Sequence, residues 1–266
     1  MSKSIEKEIK KYNFYHKIKI SDNIYTREDD NEHYSHRKIF SELDKIDFNG
    51  KKVLDIGCRD GIFCFYAEKR GAKEIIGIDN NLSKGAIEFL IPHFKSKVKM
   101  FEMNIYDLTE ADFGKFDIIL FFGVLYHLRE PITSLKKCYE LLNDNSFLIL
   151  ETSIIENIES KPLIYIPVEE SPYDPTSCTF FNIKGIFKTL ESLNFDVLSY
   201  KAFTLRKFSY LKKVIKNIFW LLFNIQKIGK FDLIILNRAL FITKKKITIK
   251  NSLSDYWYSK HKIHQK

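Results

Sequence analysis

The amino-acid sequence predicts an α/β fold with a doubly wound, mostly parallel sheet of seven strands. Three observations favour it: short β-rich runs alternate with helical segments from residue 51 onward, one run is almost wholly apolar, and a glycine-containing turn follows the first run. Repeated β-α units are typical of a parallel sheet covered by helices on both faces. Ligands of such sheets bind outside the carboxyl ends of the strands. The functional residues are therefore expected in the loops that follow the strands.

The N-terminal extension, residues 1–50, is predicted to hold two helices. A short amphipathic helix is expected near Ser4, and a second over 33–47, where apolar side chains recur at helical spacing. The sheet-bearing domain is expected to follow over residues 51–246.

Seven strands and four helices are predicted in that domain. The fourth strand is a long apolar run, which suits a strand buried on both faces of a parallel sheet. The predicted strands are 52–56, 74–78, 98–103, 116–122, 146–150, 195–203 and 233–243. The predicted helices are 62–70, 83–94 with an interruption at Pro92, 131–142 and 183–193.

Two segments of the domain break the β-α pattern. Residues 155–181 contain four of the chain's six prolines and are expected to form an extended loop or lid. Residues 205–232 form a basic, aromatic stretch whose apolar side chains fall at helical spacing. A basic amphipathic helix of this kind either lies in a membrane interface or packs on the sheet as a lid. A basic tail is expected over residues 247–266.

The net charge of +9 is distributed unevenly along the 266 residues. Residues 201–266 hold 16 basic side chains and two acids, so the rest of the chain, from totals of 43 and 34, holds 27 basic and 32 acidic ones. The basic quarter suggests an anionic partner, either nucleic acid, a membrane surface or a phosphorylated substrate. Alternatively, lysine in a chain rich in Lys, Ile, Asn and Phe only supplies solubility.

Composition excludes several classes of protein. Apolar residues make up 45% of the chain and charged residues 29%, which rules out a fully disordered chain. The four cysteines form no C-x-x-C pair and are too few for a secreted disulfide scaffold. The N-terminus is charged, unlike a signal peptide, and the longest strongly apolar run, 218–223, is short. We expect a cytoplasmic protein without a metal site, with peripheral contact at the inner membrane face through 205–232 as an option.

The strongest chemical signal is V-L-D-I-G-C-R-D-G, residues 53–61, between the first predicted strand and helix. Gly57 and Gly61 allow a tight turn and a close approach of the backbone to a ligand. Asp79 ends the second strand, 22 residues after Gly57. A carboxylate there can accept two hydrogen bonds from a ribose diol. The alternative is an ordinary β-α turn that binds no ligand.

Two residues of this loop distinguish cofactor classes. Dinucleotide-binding loops read G-x-G-x-x-G and place pyrophosphate at the helix N-terminus. Here Arg59 replaces the middle glycine and must adopt a backbone conformation that glycine reaches more easily. Asp55 disfavours pyrophosphate and suits a cationic amino-acid group. The loop resembles motif I of class I S-adenosylmethionine-dependent methyltransferases, which implies a Rossmann-like fold and S-adenosyl-L-methionine as cofactor.

Later segments extend the resemblance over roughly residues 20–200. G-V-L-Y-H-L follows the fourth strand at 123–128, and L-E-T and D-P-T lie at 150–152 and 174–176. These motifs resemble a subgroup that contains the bacterial tRNA wobble-uridine carboxymethyltransferases and many uncharacterised or glycan-cluster relatives. The tRNA enzymes hold carboxylated S-adenosylmethionine partly through tryptophan ahead of motif I. Both tryptophans of this chain lie near the C-terminus, so the ordinary cofactor is expected.

The resemblance also implies which residues contact the cofactor. N-I-Y-D at 104–107 follows the third strand, where such enzymes frame adenine with an apolar side chain and a polar contact. The expected cofactor-binding residues are Asp55, Gly57, Gly61, Asp79, Asn80, Ile105, Tyr106, Phe122 and Tyr126.

Alignment of the reactants dominates methyl transfer, because the cofactor is already activated. A base is needed only if the nucleophile must lose a proton, and His127 is the candidate because histidine titrates near neutrality. The alternative is that His127 only orients its loop. Glu151 is a candidate for binding a substrate hydroxyl, and Tyr165, Tyr173 and Phe180 are candidates for shaping the acceptor site.

The sequence therefore predicts an S-adenosylmethionine-dependent methyltransferase that acts on a small-molecule or glycan-like acceptor. Two alternatives stay open: a tRNA wobble-uridine modifying enzyme that uses carboxylated S-adenosylmethionine, and a membrane-binding module that retains the fold. Nucleic acid as a partner fits the basic quarter but is not favoured, since no RNA-binding module is recognisable.

Overall fold

The computed structural model describes residues 2–28, 34–156, 161–167, 171, 173–203 and 235–247. The basic segment 205–232 lies outside these residues, as does the tail after Ile247. The N-terminal extension contains both expected helices, α1 (Ser2–Ile9) and α2 (Tyr34–Leu43). Between them lies a small antiparallel hairpin of β1 (Lys19–Ser21) and β2 (Ile24–Tyr25), which the sequence pattern does not indicate.

Within the described ranges, the central sheet contains nine strands. They are β3 (Lys52–Ile56), β4 (Glu74–Asp79), β5 (Lys99–Glu102), β6 (Phe116–Phe122), β7 (Leu142–Glu156), β8 (Ile164–Tyr165), β9 (Phe180–Phe181), β10 (Phe195–Phe203) and β11 (Ile235–Lys245). The main path runs β10-β11-β7-β6-β3-β4-β5. Strands β3 to β7 pair in parallel along it, and β10 and β11 form an antiparallel hairpin at one edge.

This path of seven strands confirms the predicted fold class. The short strands β8 and β9 are an addition: they come from the predicted lid and pair beside β7. Strand β7 itself runs from Leu142 to Glu156, well beyond the predicted 146–150. It is longer because β6 pairs along one side and β11 along the other, so most of its backbone groups have partners.

Helices cover both faces of the sheet. They are α3 (Ile62–Lys69), α4 (Ile91–Phe94), α5 (Glu110–Phe113), α6 (Pro131–Leu141) and α7 (Ile183–Ser192). The helix predicted over 83–94 is present from residue 84, but its irregular part is a π-helical turn, Ala86–Leu90, that leads directly into α4. Pro92 lies in the first turn of α4. Pro92 therefore does not interrupt the helix, which continues to Phe94.

The two faces of β6 bury different apolar clusters, as the side-chain alternation of a strand requires. Ile119 and Phe121 belong to the cluster that includes residues of α6 and α7. Ile118, Leu120 and Phe122 belong to the cluster that includes residues of α2 and α3. Both faces of this strand are therefore buried, as its apolar run predicts.

The N-terminal segment is packed closely against the sheet-bearing domain. A Cβ built on Gly85 would lie 2.5 Å from the Phe14 ring.

In the described part of the chain, no helix has the length and apolar character needed to cross a membrane.

Candidate functional site

The glycine turn after β3 is a strained connection that only a few residue types can form. Gly57 and Gly61 have φ angles of 78° and 80°, and Arg59 has φ 47°. The expected left-handed conformation at Arg59 is thus confirmed. A Cβ on Gly57 would lie 2.2 Å from Cγ2 of Val124, so the close approach of the loop after β6 requires glycine there.

Asp79 lies at the end of β4 and binds the backbone of the glycine turn. Its Oδ2 accepts a hydrogen bond from the Arg59 N–H at 2.9 Å, and its Oδ1 accepts one from the Asn81 N–H at 2.8 Å. The Asp79 side chain is half-buried, whereas Asn80 beside it is exposed. The carboxylate is therefore held against the turn at the carboxyl end of the sheet.

Asp55 lies beneath the same turn rather than at its surface. It is 1% exposed, and its Oδ2 accepts a hydrogen bond from the Cys64 thiol at 3.2 Å. Burial raises the pKa of the Asp55 carboxyl to about 7. A contact between Asp55 and a cofactor amino group stays a prediction.

The remaining predicted contacts lie in the loops after the neighbouring strands. Ile105 is buried after β5, and the next residue, Tyr106, accepts a hydrogen bond on its hydroxyl from the Glu130 N–H at 3.2 Å. Phe122 ends β6, with its ring edge-on to Phe63 at 4.8 Å between centroids. The structure thus brings the loops after β3, β4, β5 and β6 together. This is the switch point, where the strand order reverses between β3 and β6.

A buried ion pair lies beside this region. Arg238 of β11 donates from Nε and Nη2 to the two oxygens of Glu151 on β7, and neither side chain is more than 7% exposed. Its Nη1 also donates to the hydroxyls of Tyr126 and Tyr173, each at 3.0 Å. Burial raises the pKa of Tyr126 well above its usual range, so this hydroxyl stays protonated at neutral pH.

Sequence reasoning missed Arg238, although it singled out Glu151 and two of the tyrosines. Arg238 follows the basic segment, and among so many basic residues one more arginine does not stand out as a functional residue. Its place in L-I-I-L-N-R-A-L-F-I, an otherwise largely apolar strand, is the signal that could have found it.

His127 lies in a short 3₁₀ turn, Leu125–His127, to which the lid is attached. The Cys178 and Thr179 N–H groups donate to the Tyr126 carbonyl at 2.9 and 3.1 Å. The His127 Nδ1 lies 2.9 Å from the Thr176 hydroxyl oxygen. The predicted base is thereby fixed at the carboxyl end of β6, between the glycine turn and the lid.

Comparison with known protein families identifies the family of this chain. A family model described as a methyltransferase domain matches residues 30–200. The chain belongs to this methyltransferase family. The match covers more than half of the chain, and the motif-based resemblance is confirmed with it.

Curated relatives of the methyltransferase include the tRNA U34 carboxymethyltransferase of Helicobacter pylori (strain G27), which is 32% identical over 157 residues. That alignment covers 56% of this chain and 59% of the relative, so the chain spans about three fifths of the curated relative's length.

Solved structures share the fold of the methyltransferase. The N-terminal domain of EvdMO1, with S-adenosylhomocysteine and D-fucose, has a TM-score of 0.61 and 15% identity, covering 92% of this chain and 97% of that one. Coclaurine N-methyltransferase, with N-methylheliamine and S-adenosylhomocysteine, has a TM-score of 0.58 and 17% identity, covering 82% and 76%. The expectation of a methyltransferase domain is confirmed.

The residues present fit S-adenosyl-L-methionine. Gly57, Arg59 and Gly61 hold the turn with positive φ angles, and the Asp79 carboxylate borders it at the carboxyl end of the sheet. A carboxylate at the border of the turn suits the ribose of a nucleoside that carries a cationic sulfonium better than a pyrophosphate, which it would repel.

Proposed function

We propose that this chain transfers a methyl group from S-adenosyl-L-methionine to a small-molecule or glycan-like acceptor. The observation that carries the proposal is the position of Asp79: its carboxylate borders the glycine turn at the switch point of the sheet. Ribose recognition by an acid at the end of the second strand is typical of nucleoside-binding sheets.

In this proposal, each loop at the carboxyl end holds one part of the cofactor. Asp79 accepts hydrogen bonds from the ribose hydroxyls, and Asn80 borders the same site. Gly57 and Gly61 let the backbone approach the amino-acid portion above Asp55. Four residues of the next two loops line the adenine and sulfonium: Ile105, Tyr106, Phe122 and Tyr126. The cofactor supplies an activated methyl group, so the work of the chain is to align the acceptor.

The acceptor side is assigned to the loop after β6, the lid and β11. Tyr126, Tyr173 and the Arg238–Glu151 pair bring aromatic faces and fixed polar groups together there. Aromatic and hydroxyl-rich linings suit a polar ring such as a sugar. The D-fucose in the EvdMO1 domain, which shares this fold, supports the same choice.

The second candidate function is tRNA wobble-uridine modification with carboxylated S-adenosylmethionine. It is favoured by the curated relatives, which are named tRNA U34 carboxymethyltransferase. Mass spectrometry distinguishes the two. A methylated product from purified enzyme supports our proposal, whereas carboxymethylated wobble uridines that disappear in a deletion strain support the alternative.

Calorimetric titration with S-adenosyl-L-methionine tests the cofactor site. We expect saturable binding to the wild type and at least about tenfold weaker binding to Asp79→Ala, because two charge-assisted hydrogen bonds are lost. Asp196→Ala is the matched control, since Asp196 is an exposed carboxylate on β10 paired only at the surface with Lys246. Absence of saturable binding, or equal affinity in Asp79→Ala, contradicts the proposal.

A further inference from the structure

Three side chains connect the lid to the turn that carries His127. The Thr176 hydroxyl lies 2.7 Å from Asp174 Oδ1 and 2.9 Å from His127 Nδ1. The Thr176 N–H also donates to Asp174 Oδ1 at 2.9 Å. Nδ1 of His127 lies 3.9 Å from the same carboxylate oxygen. Thr176 therefore stands between a carboxylate and an imidazole.

The direction of these hydrogen bonds follows from counting protons. A hydroxyl has one proton to donate and also accepts. Although burial acts in the opposite direction, hydrogen bonds from Thr176 and Ser177 lower the pKa of Asp174, so it is an ionised acceptor near neutrality. Thr176 thus donates to Asp174 and accepts from His127. The proton of the neutral imidazole is then on Nδ1, and the lone pair is on Nε2.

We propose that Thr176 and Asp174 are positioning residues that hold His127 as a base for an acceptor that must lose a proton, namely a hydroxyl. The inference rests on the proposed function and deepens it, because it names the atom that is methylated. Its consequence is that the product is a methyl ether.

The step balances without a further reactant. The acceptor oxygen forms a bond to the methyl carbon while the carbon–sulfur bond breaks and its electron pair stays on sulfur. The hydroxyl proton passes to Nε2 of His127. The resulting imidazolium is stabilised by Asp174 through Thr176, as buried or half-buried cations are by a nearby carboxylate.

Other titratable or charged groups near His127 are compatible with this role. Its ring lies 4.2 Å from the Tyr126 ring, and its carbonyl accepts from the Cys178 thiol at 3.3 Å. Beyond Tyr126 lie Tyr173 and Arg238, and the guanidinium of Arg238 is paired with Glu151. Arg129 and Glu130, next along the chain, are exposed. Among these described neighbours, Asp174 is the carboxylate placed at the imidazole.

Nitrogen NMR of the histidine rings tests the tautomer without any turnover. His127 is assigned by comparison with His127→Gln. We expect the Nδ1–H form in the wild type and in Thr176→Ser, and a mixed tautomer in Thr176→Val. Thr189→Val is the matched control, since Thr189 lies on α7 away from the lid turn. An unchanged His127 signal in Thr176→Val would overturn the inference.

Kinetics test the same inference on the reaction. With a hydroxylated acceptor, we expect Thr176→Val to lower kcat by about tenfold or more with little change in KM, and Thr176→Ser to restore most of it. Asp174→Ala should also lower kcat with little change in KM, because the Thr176 hydroxyl then loses the acceptor that directs its proton away from His127. The inference fails and the proposed function stands if the wild type binds the cofactor and transfers methyl groups while Thr176→Val and the Asp174 variant have wild-type kinetics. If the cofactor does not bind, the proposed function fails, and the NMR result still decides the tautomer.

Discussion

Two separate features exclude a side chain at Gly57, its backbone conformation and the nearness of Val124. Its φ of 78° disfavours any side chain, and a Cβ would lie 2.2 Å from Val124 Cγ2. Gly50 offers a reference, because its φ is 67° and a Cβ there would meet nothing within 4 Å. Substitution at Gly50 therefore measures the cost of backbone strain alone, whereas substitution at Gly57 measures strain and steric clash together.

We expect Gly50→Ala to lower the free energy of unfolding by about 1 kcal/mol, the cost of a left-handed conformation. Gly57→Ala should cost about 1–3 kcal/mol more, because the loop after β6 must move. Val124→Ala removes Cγ2, so the double variant Gly57→Ala, Val124→Ala should cost less than the sum of the single changes. Urea unfolding measures the wild type and the four variants, and strictly additive values for Gly57→Ala and Val124→Ala would contradict the steric explanation.

Asp55 makes the fold sensitive to pH through the same turn. Burial raises its pKa in the folded chain to about 7, against about 3.9 in an unfolded one. The folded state holds a proton that the unfolded chain releases, so the free energy of unfolding falls as pH rises between about 4 and 7.

We expect Asp55→Asn to remove this fall, which amounts to at most about 4 kcal/mol, because an amide does not titrate and still accepts from the Cys64 thiol. Urea unfolding at a series of pH values measures the effect. Asp196→Asn, at an exposed site, should keep the wild-type slope. A wild-type slope in Asp55→Asn as well would show that Asp55 is charged in the folded state.

At the scale of elements, strands β7 and β11 are joined by a buried ion pair as well as by backbone hydrogen bonds. Glu151 and Arg238 are 0% and 7% exposed at the side chain. A buried charge that loses its partner is costly, whereas an apolar pair of similar size is often tolerated.

We expect Glu151→Leu or Arg238→Met alone to lower the free energy of unfolding by about 3–5 kcal/mol, and the double variant to lose much less than the sum. A matched cycle at the exposed Asp196–Lys246 pair should show a coupling of less than about 1 kcal/mol. Urea unfolding measures both cycles. Equal coupling in the two would mean that the Glu151–Arg238 pair is solvated.

The elements that the sequence predicts well are those whose local pattern agrees with their surroundings. Strands 52–56, 116–122 and 195–203 have the predicted bounds, because each apolar or β-rich run also has paired neighbours. Strand β7 is longer than predicted and the lid strands are not predicted, since pairing with distant segments decides them. The N-terminal hairpin is not predicted either, although its strands pair locally. The glycine turn and Asp79 could be predicted because their spacing is local. The pairing of Arg238 with Glu151 could not, because the two residues are 87 positions apart.

At the scale of the whole molecule, the basic segment 205–232 interrupts a hairpin that is already closed. Phe203 of β10 pairs with Arg238 of β11, so the chain leaves and re-enters the sheet at neighbouring positions. Replacing 205–232 with a short Gly/Ser linker should therefore leave the melting temperature and S-adenosyl-L-methionine affinity near those of the wild type. Thermal melting and calorimetry measure this. A melting temperature lower by about 4 °C or more would show that the segment stabilises the fold.

The same variant tests membrane contact. If the segment binds a membrane surface, the full chain should sediment with anionic vesicles at low salt and the shortened chain should not. Equal sedimentation of both proteins would assign any membrane binding to another part of the chain.

The switch point also separates the proposed cofactor side of the sheet from the proposed acceptor side, and substitutions on the two sides should have different effects. The proposed cofactor residues follow parallel strands, and the glycine turn among them holds positive φ angles at Gly57, Arg59 and Gly61. Substitutions there are expected to disturb cofactor binding whatever the acceptor is. The proposed acceptor side is formed by the lid and by a hairpin in which Phe203 pairs with Arg238. On this proposal, a change in the length or charge of the connection between these two positions alters the acceptor side and leaves the cofactor side unchanged.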